Sequence, residues 1–306
     1  MITLFTTAKP FTGHSAVIQR NALKSWTLLH PDVEVILFGD DQGTGEVCAE
    51  FHLRHEPHVE RNSSGLKRID YYWDRAQQIA RHDILCYANC DIIFTSDLVP
   101  AIRRASSAYN PFLMVGRRWD TDLTAEVDFT NPSWAVDIRH RAALARARRD
   151  RWWIDYFVFS RGLFLGKLPP LVIGRVVWDN FLIWRAADLG ATVIDASSVV
   201  QAIHQNHDYR YHPLGKQGVW NDQHAQENLR NAGGPRHMRS IADASVLLTP
   251  RGFRANPVRH WLAAARALRP WRYSIWNPIW FLLLDFTRPA RHFLGLRASR
   301  KGSGSK

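Results

Sequence analysis

The stretch "DILCYANCDIIF" (residues 83–94) decides the fold. Ile84, Leu85, Cys86 and Tyr87, followed by Ile92, Ile93 and Phe94, read as one buried β-strand. Asn89 and Asp91 interrupt it near its end. A carboxylate left unpaired in apolar surroundings is costly, because desolvation opposes its charge. Asp91 therefore has to face a compensating group, and the strand has to end where polar chemistry is wanted.

The pattern extends upstream. "GLKRIDYYWDRAQQIARH" (65–82) is a helix with Ile69, Tyr72, Trp73, Ala76 and Ile79 on one face. "VEVILFGD" (33–40) is a strand closing in a Gly-Asp turn. "SAVIQRNALKSWTLL" (15–29) is a helix stopped just before Pro31, and "ITLFTT" (2–7) is a first strand. This β-α-β-α-β order predicts a mostly parallel, Rossmann-like sheet flanked by helices. Right-handed crossovers place the C-terminal ends of its strands on one edge, where open α/β sheets bind ligands. That edge is polar: Thr6 and Thr7 with Lys9 beyond, then Asp40 after Gly39, then Asn89 to Asp91. Such hydroxyls and carboxylates suit a nucleotide and a cation beside its phosphates. Gly65, Lys67 and Arg68, just ahead of the third helical segment, are further phosphate candidates. The sequence has neither a P-loop nor GxGxxG, which argues against P-loop and dinucleotide-binding chemistry.

The second half holds four blocks and a spacer. "FLMVGRRWD" (112–120) reads as a strand running into a charged loop. Residues 137–151 are arginine-rich and read as a helix with a solvated face or an acceptor-side flap. "RWWIDYFVFSRGLF" (151–164) sets Asp155 directly before an apolar run. "GRVVWDNFLIWRAADLG" (174–190) starts a helix near Asp179 and stops at Gly190, with Arg175 at its head as a donor contact. "TVIDASSVVQAIHQNHDYRYH" (192–212) is a strand and a connector, then His204, His207 and His212. The following loop (207–222), with Gly215 and Gly218 to bend it, is expected to close over a diphosphate through Lys216 or Arg210.

In this order the motifs resemble a GT-A fold nucleotide-sugar glycosyltransferase of the bacterial family-two-like kind, over roughly residues 2–220. "IQRNALKSWTLLHPDVEVILFGDD" resembles the nucleotide-binding start, and "YANCDIIF" the strand that ends in a DxD motif. "WDNFLIWRAADLG" resembles the helix opening with a catalytic Glu-Asp pair, and "HQNH" the late histidine that completes a metal site. Two positions depart: Asn89 stands for the first aspartate of DxD, and Trp178 for the first acid of the pair. The resemblance implies transfer of a sugar from a nucleotide-diphosphate donor, UDP-sugar favoured, to a hydroxyl on a surface glycan or lipid-linked saccharide. It implies Mn²⁺ or Mg²⁺ held by Asp91 and by His204 or His207, with Asn89 turned to ribose or diphosphate through its amide. Such hard cations take oxygen ligands and share phosphate oxygens, and Mn²⁺ accepts imidazole more readily than Mg²⁺. Asp179 is the implied base of an inverting reaction. Asp155 is its rival, either as base or as a partner of donor hydroxyls, and retention stays open.

The charge is lopsided. Of a net +12, residues 251–301 carry eleven Lys/Arg against Asp285 alone, a net of +10. Their mixture of arginine with Trp, Phe and Leu suggests an amphipathic helical tail (251–299) lying on an anionic membrane surface, rather than one bound to nucleic acid. Its longest apolar run, residues 279–284, is too short to span a bilayer. The main domain is expected over 1–250, and 300–306 as a disordered end or cloning remnant. The chain opens with a strand-like segment rather than a secretory signal. Three cysteines without ligand spacing fit a reduced, cytoplasmic setting on the inner face of the membrane. Two other readings stand beside the transferase: a sugar nucleotidyltransferase, although its glycine-rich basic loop is not seen, and a non-catalytic membrane- or nucleic-acid-binding module.

Overall fold

The computed structural model describes residues 1–145, 147–208 and 213–267. The alternating start forms as the pattern predicts. Strand β1 (Thr3–Thr7), helix α1 (Gly13–Thr27), β2 (Glu34–Phe38), α2 (Thr44–Phe51), β3 (Arg54–Glu56), α3 (Ile69–Ile79) and β4 (Ile84–Ala88) follow in sequence. β1 pairs in parallel with both β2 and β4, and β2 in parallel with β3.

The stretch 83–94 is two strands rather than one. β4 stops at Ala88, and Asn89 to Asp91 form a turn in which the Ile92 N–H donates to the Asn89 carbonyl at 3.1 Å. Ile92–Ile93 (β5) then joins a different sheet. Both halves are buried in apolar cores, so their side chains look alike in sequence although their backbones pair with different partners.

Next come α4 (Leu98–Ala108), β6 (Phe112–Val115), β7 (Arg118–Thr121), α5 (Trp134–Leu144), β8 (Tyr156–Ser160), α6 (Trp178–Asp188), β9 (Thr192–Asp195) and β10 (Ala202–Gln205). α7 (Gly215–Asn221), α8 (Gln223–Asn231), β11 (Val246–Thr249) and β12 (Gly252–Ala255) complete the first compact unit, Met1–Asn256. Among the described residues, nine strands form one sheet in the order β12-β11-β9-β6-β8-β4-β1-β2-β3. β8 runs antiparallel between β4 and β6, and β12 antiparallel on the outer edge. The remaining pairings are parallel. The fold is therefore mixed α/β with a mostly parallel sheet flanked by helices.

Strict alternation along the strands sends side chains to two cores. Phe5, Tyr87, Phe157 and Phe159 face one, with Trp73 of α3 stacked on Phe159 at 5.1 Å. Leu4, Cys86, Met114 and Val158 face the other. Burying each large apolar side chain contributes about 1.5–3 kcal/mol, so this double-sided packing sets the sheet rigidly enough to hold a site at its edge. The thiols of Cys48, Cys86 and Cys90 are all buried in this packing.

Three local readings change. The arginine-rich helix expected over 137–151 is α5, which ends at Leu144; the chain then lies along β7, with the Arg149 N–H donating to the Arg118 carbonyl at 3.0 Å. The stretch expected as a loop after His207 includes helix α7, while Arg210 and His212 lie outside the described residues. The β11–β12 hairpin carries the sheet beyond residue 250 to Ala255. In the second unit, α9 (Pro257–Ala267) is described and the rest of the expected tail is not. No helix among the described residues is long and apolar enough to cross a membrane.

Candidate active site

A second sheet, β5-β10-β7, collects three groups far apart in sequence. β10 lies in its middle, so His204 pairs in register with Ile92 on one side and with Asp120 on the other. Asp91 immediately precedes Ile92. Its Oδ2 consequently lies 3.8 Å from His204 Nε2, and His204 Nδ1 lies 3.5 Å from Asp120 Oδ1. His207, past the end of β10 and not on a helical turn, puts Nε2 3.2 Å from the same Asp91 oxygen. Both histidines of "HQNH" thus converge on Asp91.

Each imidazole is oriented from behind. His207 Nδ1 meets the Asp208 carbonyl at 2.7 Å, which leaves Nε2 toward Asp91. His204 Nδ1 makes no hydrogen bond among the described residues, but the Asp120 carboxylate stands behind it at ion-pair distance. A backbone carbonyl or carboxylate behind each ring is the arrangement that fixes metal-ligating histidines. Burial alone would raise the Asp91 carboxyl, but His204 and His207 outweigh it and hold it well below the usual carboxylate range. Burial lowers His207, and the hydrogen bond and charge of Asp91 more than reverse that, so it ends raised. Asp91 Oδ1 is buried with no hydrogen-bond partner among the described residues. One carboxylate and two imidazoles with ligand atoms within 4.8 Å of one another, and an orphaned buried oxygen, fit a divalent cation of the Mn²⁺ kind.

The antiparallel insertion of β8 builds the next part. Tyr156 pairs with Ala88, so Asp155 reaches the edge where β4 ends, and the Asn89 N–H donates to its carbonyl at 2.9 Å. Asn89 Nδ2 donates to Asp155 Oδ1 at 2.6 Å, and Tyr87 donates to Asn89 Oδ1 at 3.0 Å. Arg118 Nη1 donates to Asp155 Oδ2 at 2.8 Å and its Nε to Asp120 Oδ1 at 3.0 Å. Asn89 thus anchors Asp155, and Arg118 links Asp155 to the carboxylate behind His204. Burial would raise Asp120, but His204, 3.5 Å away, and Arg118 bring it down to about 2.

Asp179 sits in the first turn of α6. Two residues earlier Val177 holds φ 96°, a region a β-branched residue occupies only under constraint, at a cost of about 1–3 kcal/mol. The chain turns sharply there and directs the helix start at the cavity. Burial pushes the Asp179 carboxyl up to about 7, and the Asp155 charge adds to it against hydrogen bonds from backbone N–H groups.

Asp91, His204, His207, Asn89, Asp155, Arg118 and Asp179 line one cavity of about 550 Å³, with Asp120 behind His204. Of the residues expected at the donor, Thr7, Lys9, Gly65, Lys67, Asn89 and Arg175 line it together with Asp91, Asp155, Asp179, His204 and His207. Lys67 is buried and spans the gap between β1 and β2: Nζ donates to Thr7 Oγ1 at 2.6 Å, to the Ala8 carbonyl at 2.7 Å and to Asp41. Arg175 Nε is held by Asp222 at 2.6 Å. Four expected residues do not line the cavity. Thr6 points into the sheet by strand alternation and Asp40 outward to Arg61, leaving Thr7 and Asp41 as the lining residues. Arg68 turns to Glu60 and Asp70. Lys216 is outside the lining, 5.5 Å from the Trp153 ring centre. Asp41, beside Asp40 at the same strand end, and Trp220, in the loop expected over the diphosphate, are in the lining, while Arg61, Arg118, Trp152 and Trp153 in it, and Asp120 behind His204, carry no signal that singles them out by type and spacing. The charges within "GRRWD" mark the segment of Arg118 and Asp120, not the two residues.

No protein-family model matches this chain, and no curated protein does. Among solved structures the chain is similar to glucosyl-3-phosphoglycerate synthase from Mycobacterium tuberculosis in complex with Mg²⁺ and uridine diphosphate, with TM-score 0.47 and 16% identity over 77% of this chain and 80% of that one. The same enzyme with Mn²⁺, UDP-glucose and phosphoglyceric acid gives TM-score 0.47 and 18% identity over the same shares. S. aureus TarS 1-349 in complex with UDP-GlcNAc gives TM-score 0.46 and 8% identity over 67% of this chain and 58% of that one.

Proposed function

We propose that the protein is a metal-dependent GT-A glycosyltransferase, moving a sugar from a nucleotide-diphosphate donor to a hydroxyl acceptor. The observation that carries this is the coexistence, in one cavity, of a preoriented Asp91–His204–His207 cluster and a separate carboxyl, Asp179, held near neutrality. Asp91 and the two imidazoles hold the cation, with Asp120 and the Asp208 carbonyl fixing the rings. Bound there, a divalent cation supplies positive charge against the diphosphate as the sugar–phosphate bond breaks.

The chain's own groups divide the rest. Thr7, Asp41, Arg61 and Lys67 at the β1 and β2 ends receive the nucleotide, with a UDP-sugar favoured. Asp155, locked by Asn89 and Arg118, keeps the middle of the cavity polar and raises Asp179 through its charge. Asp179 accepts the acceptor hydroxyl proton as that oxygen bonds to the anomeric carbon and the diphosphate departs with the bonding electrons. A base with a value near the working pH is the effective one. The proposal carries inversion as its stereochemical outcome, the one a single base opposite the departing diphosphate gives. Asp155, with both oxygens in hydrogen bonds, is the weaker base.

The proposal includes a peripheral position on the cytoplasmic face of a membrane and a role in building surface glycans. In support, α9 combines exposed Val258 and Trp261 with Arg259, the mixture that suits an anionic interface. Titrating the protein with a panel of nucleotide diphosphates and nucleotide sugars, with and without Mn²⁺, tests the central reading. It predicts Mn²⁺-dependent binding of at least one; none under any condition overturns it. Liposome flotation, with and without residues 257–306, tests the membrane position.

A further inference from the structure

One part of the cavity lining is aromatic and has no place in the nucleotide and cation roles proposed above. Trp152, Trp153 and Trp220 form it, on the side of Asp179. Trp152 and Trp220 remain 51% and 44% exposed, an unusual state for two indoles at the rim of a cavity. Trp153 is the fixed member: its ring lies 5.7 Å from Trp220, and Arg118, Arg149 and Lys216 sit 4.8, 5.5 and 5.5 Å from its centre. Cations over an indole hold it in place. The segment is also tied to the base. Asn180, next to Asp179, donates to the Trp152 carbonyl at 3.5 Å, and the Ile241 N–H donates to the Arg151 carbonyl at 2.9 Å.

Two of the cations beside Trp153 are ion-paired: Arg118 with Asp155 and Asp120, and Arg149 through Nε with Asp120 at 2.5 Å. What the tryptophans add to the cavity is flat apolar surface. A pyranose ring has a C–H face that packs on an indole and hydroxyls at its rim. A small phosphorylated acid has no such face and needs cations.

Resting on the glycosyltransferase reading, we propose that Trp152 and Trp220 form the acceptor subsite and that the acceptor presents a neutral saccharide ring there. Packing on Trp152 brings one of its hydroxyls toward Asp179, and Trp220 covers the opposite side.

The test uses the full chain with UDP and Mn²⁺ on an immobilised panel of neutral mono- to tetrasaccharides, with soluble phosphoglyceric acid as competitor. The wild type should retain at least one saccharide, without displacement by the acid. The Trp152→Ala/Trp220→Ala variant should lose about tenfold or more in that affinity, the Phe/Phe variant should recover most of it, and both should keep UDP affinity within about twofold. Since both side chains are half exposed, the variants should melt within a few degrees of the wild type. If the wild type fails to bind UDP, the glycosyltransferase reading itself falls. If it binds UDP but retains no saccharide, yields to phosphoglyceric acid, or is matched by the Ala/Ala variant, this inference alone falls.

Discussion

Asp91 and Asp179 line the same cavity, yet the protein drives them in opposite directions. At the β5-β10-β7 end, two imidazoles surround Asp91 and hold its carboxyl well below the ordinary range. At the α6 end Asp179 has no ion pair among the described residues, and burial with Asp155 nearby lifts it to about 7 against the weaker pull of Arg118. Opposed environments of this kind separate a permanently charged carboxylate from one that exchanges a proton at neutral pH. In the proposed reading the first binds positive charge and the second transfers a proton.

The most severe way to break this division is Asp179→Asn. It should cut sugar transfer, followed as nucleotide release from the donor, by about 10²–10⁴-fold while nucleotide binding persists. Unimpaired release moves the base elsewhere, first to Asp155. Asp91→Ala attacks the other end and should weaken Mn²⁺-dependent nucleotide binding by more than the about 10–100-fold expected of an outer-shell change. Full retention in a nucleotide titration removes the cation from Asp91. Asp120→Asn is the gentler form of that experiment. By loosening His204 it should lower Mn²⁺ affinity about 10–100-fold, read by direct Mn²⁺ titration; an unchanged affinity would leave Asp120 with a purely structural role.

The pH profiles sharpen the contrast with the smallest effects. Nucleotide release should rise with pH through about 7 and then level off, as Asp179 loses its proton. Stability should move the other way. The folded carboxyl titrates at about 7 against 3.8 for an ordinary aspartate, so the native state binds more protons between those values. Asp179's contribution to stability is complete below pH 4 and falls away as pH climbs toward 7. Asp179→Asn should flatten this decline, giving a higher melting temperature than the wild type at pH 8. A variant that melts lower than the wild type at pH 8 contradicts the raised carboxyl.

Both ends show in the sequence. Asp179 stands at the start of an apolar helix pattern, and Asp91 interrupts an apolar run; both are local anomalies, so both were legible. The alternating strands and helices, the polar edge and the pair of histidines were legible for the same reason, because periodicity and burial are written into neighbouring residues. Thr6 against Thr7, and Asp40 against Asp41, were not resolved, since each choice turns on one residue of register at a strand end.

Local pattern is enough for a mixed α/β fold, for its polar edge, and for the aspartates and histidines along it. Three features come from folding in three dimensions: 83–94 breaks between two sheets, β8 enters antiparallel to bring Asp155 against Asn89, and β10 lies between β5 and β7 so that His204 meets Asp91 and Asp120. A local pattern reports which face of a strand is buried. It does not report which strand lies alongside, and that pairing, reached across long stretches of chain, determines a charged group's partner and hence its protonation.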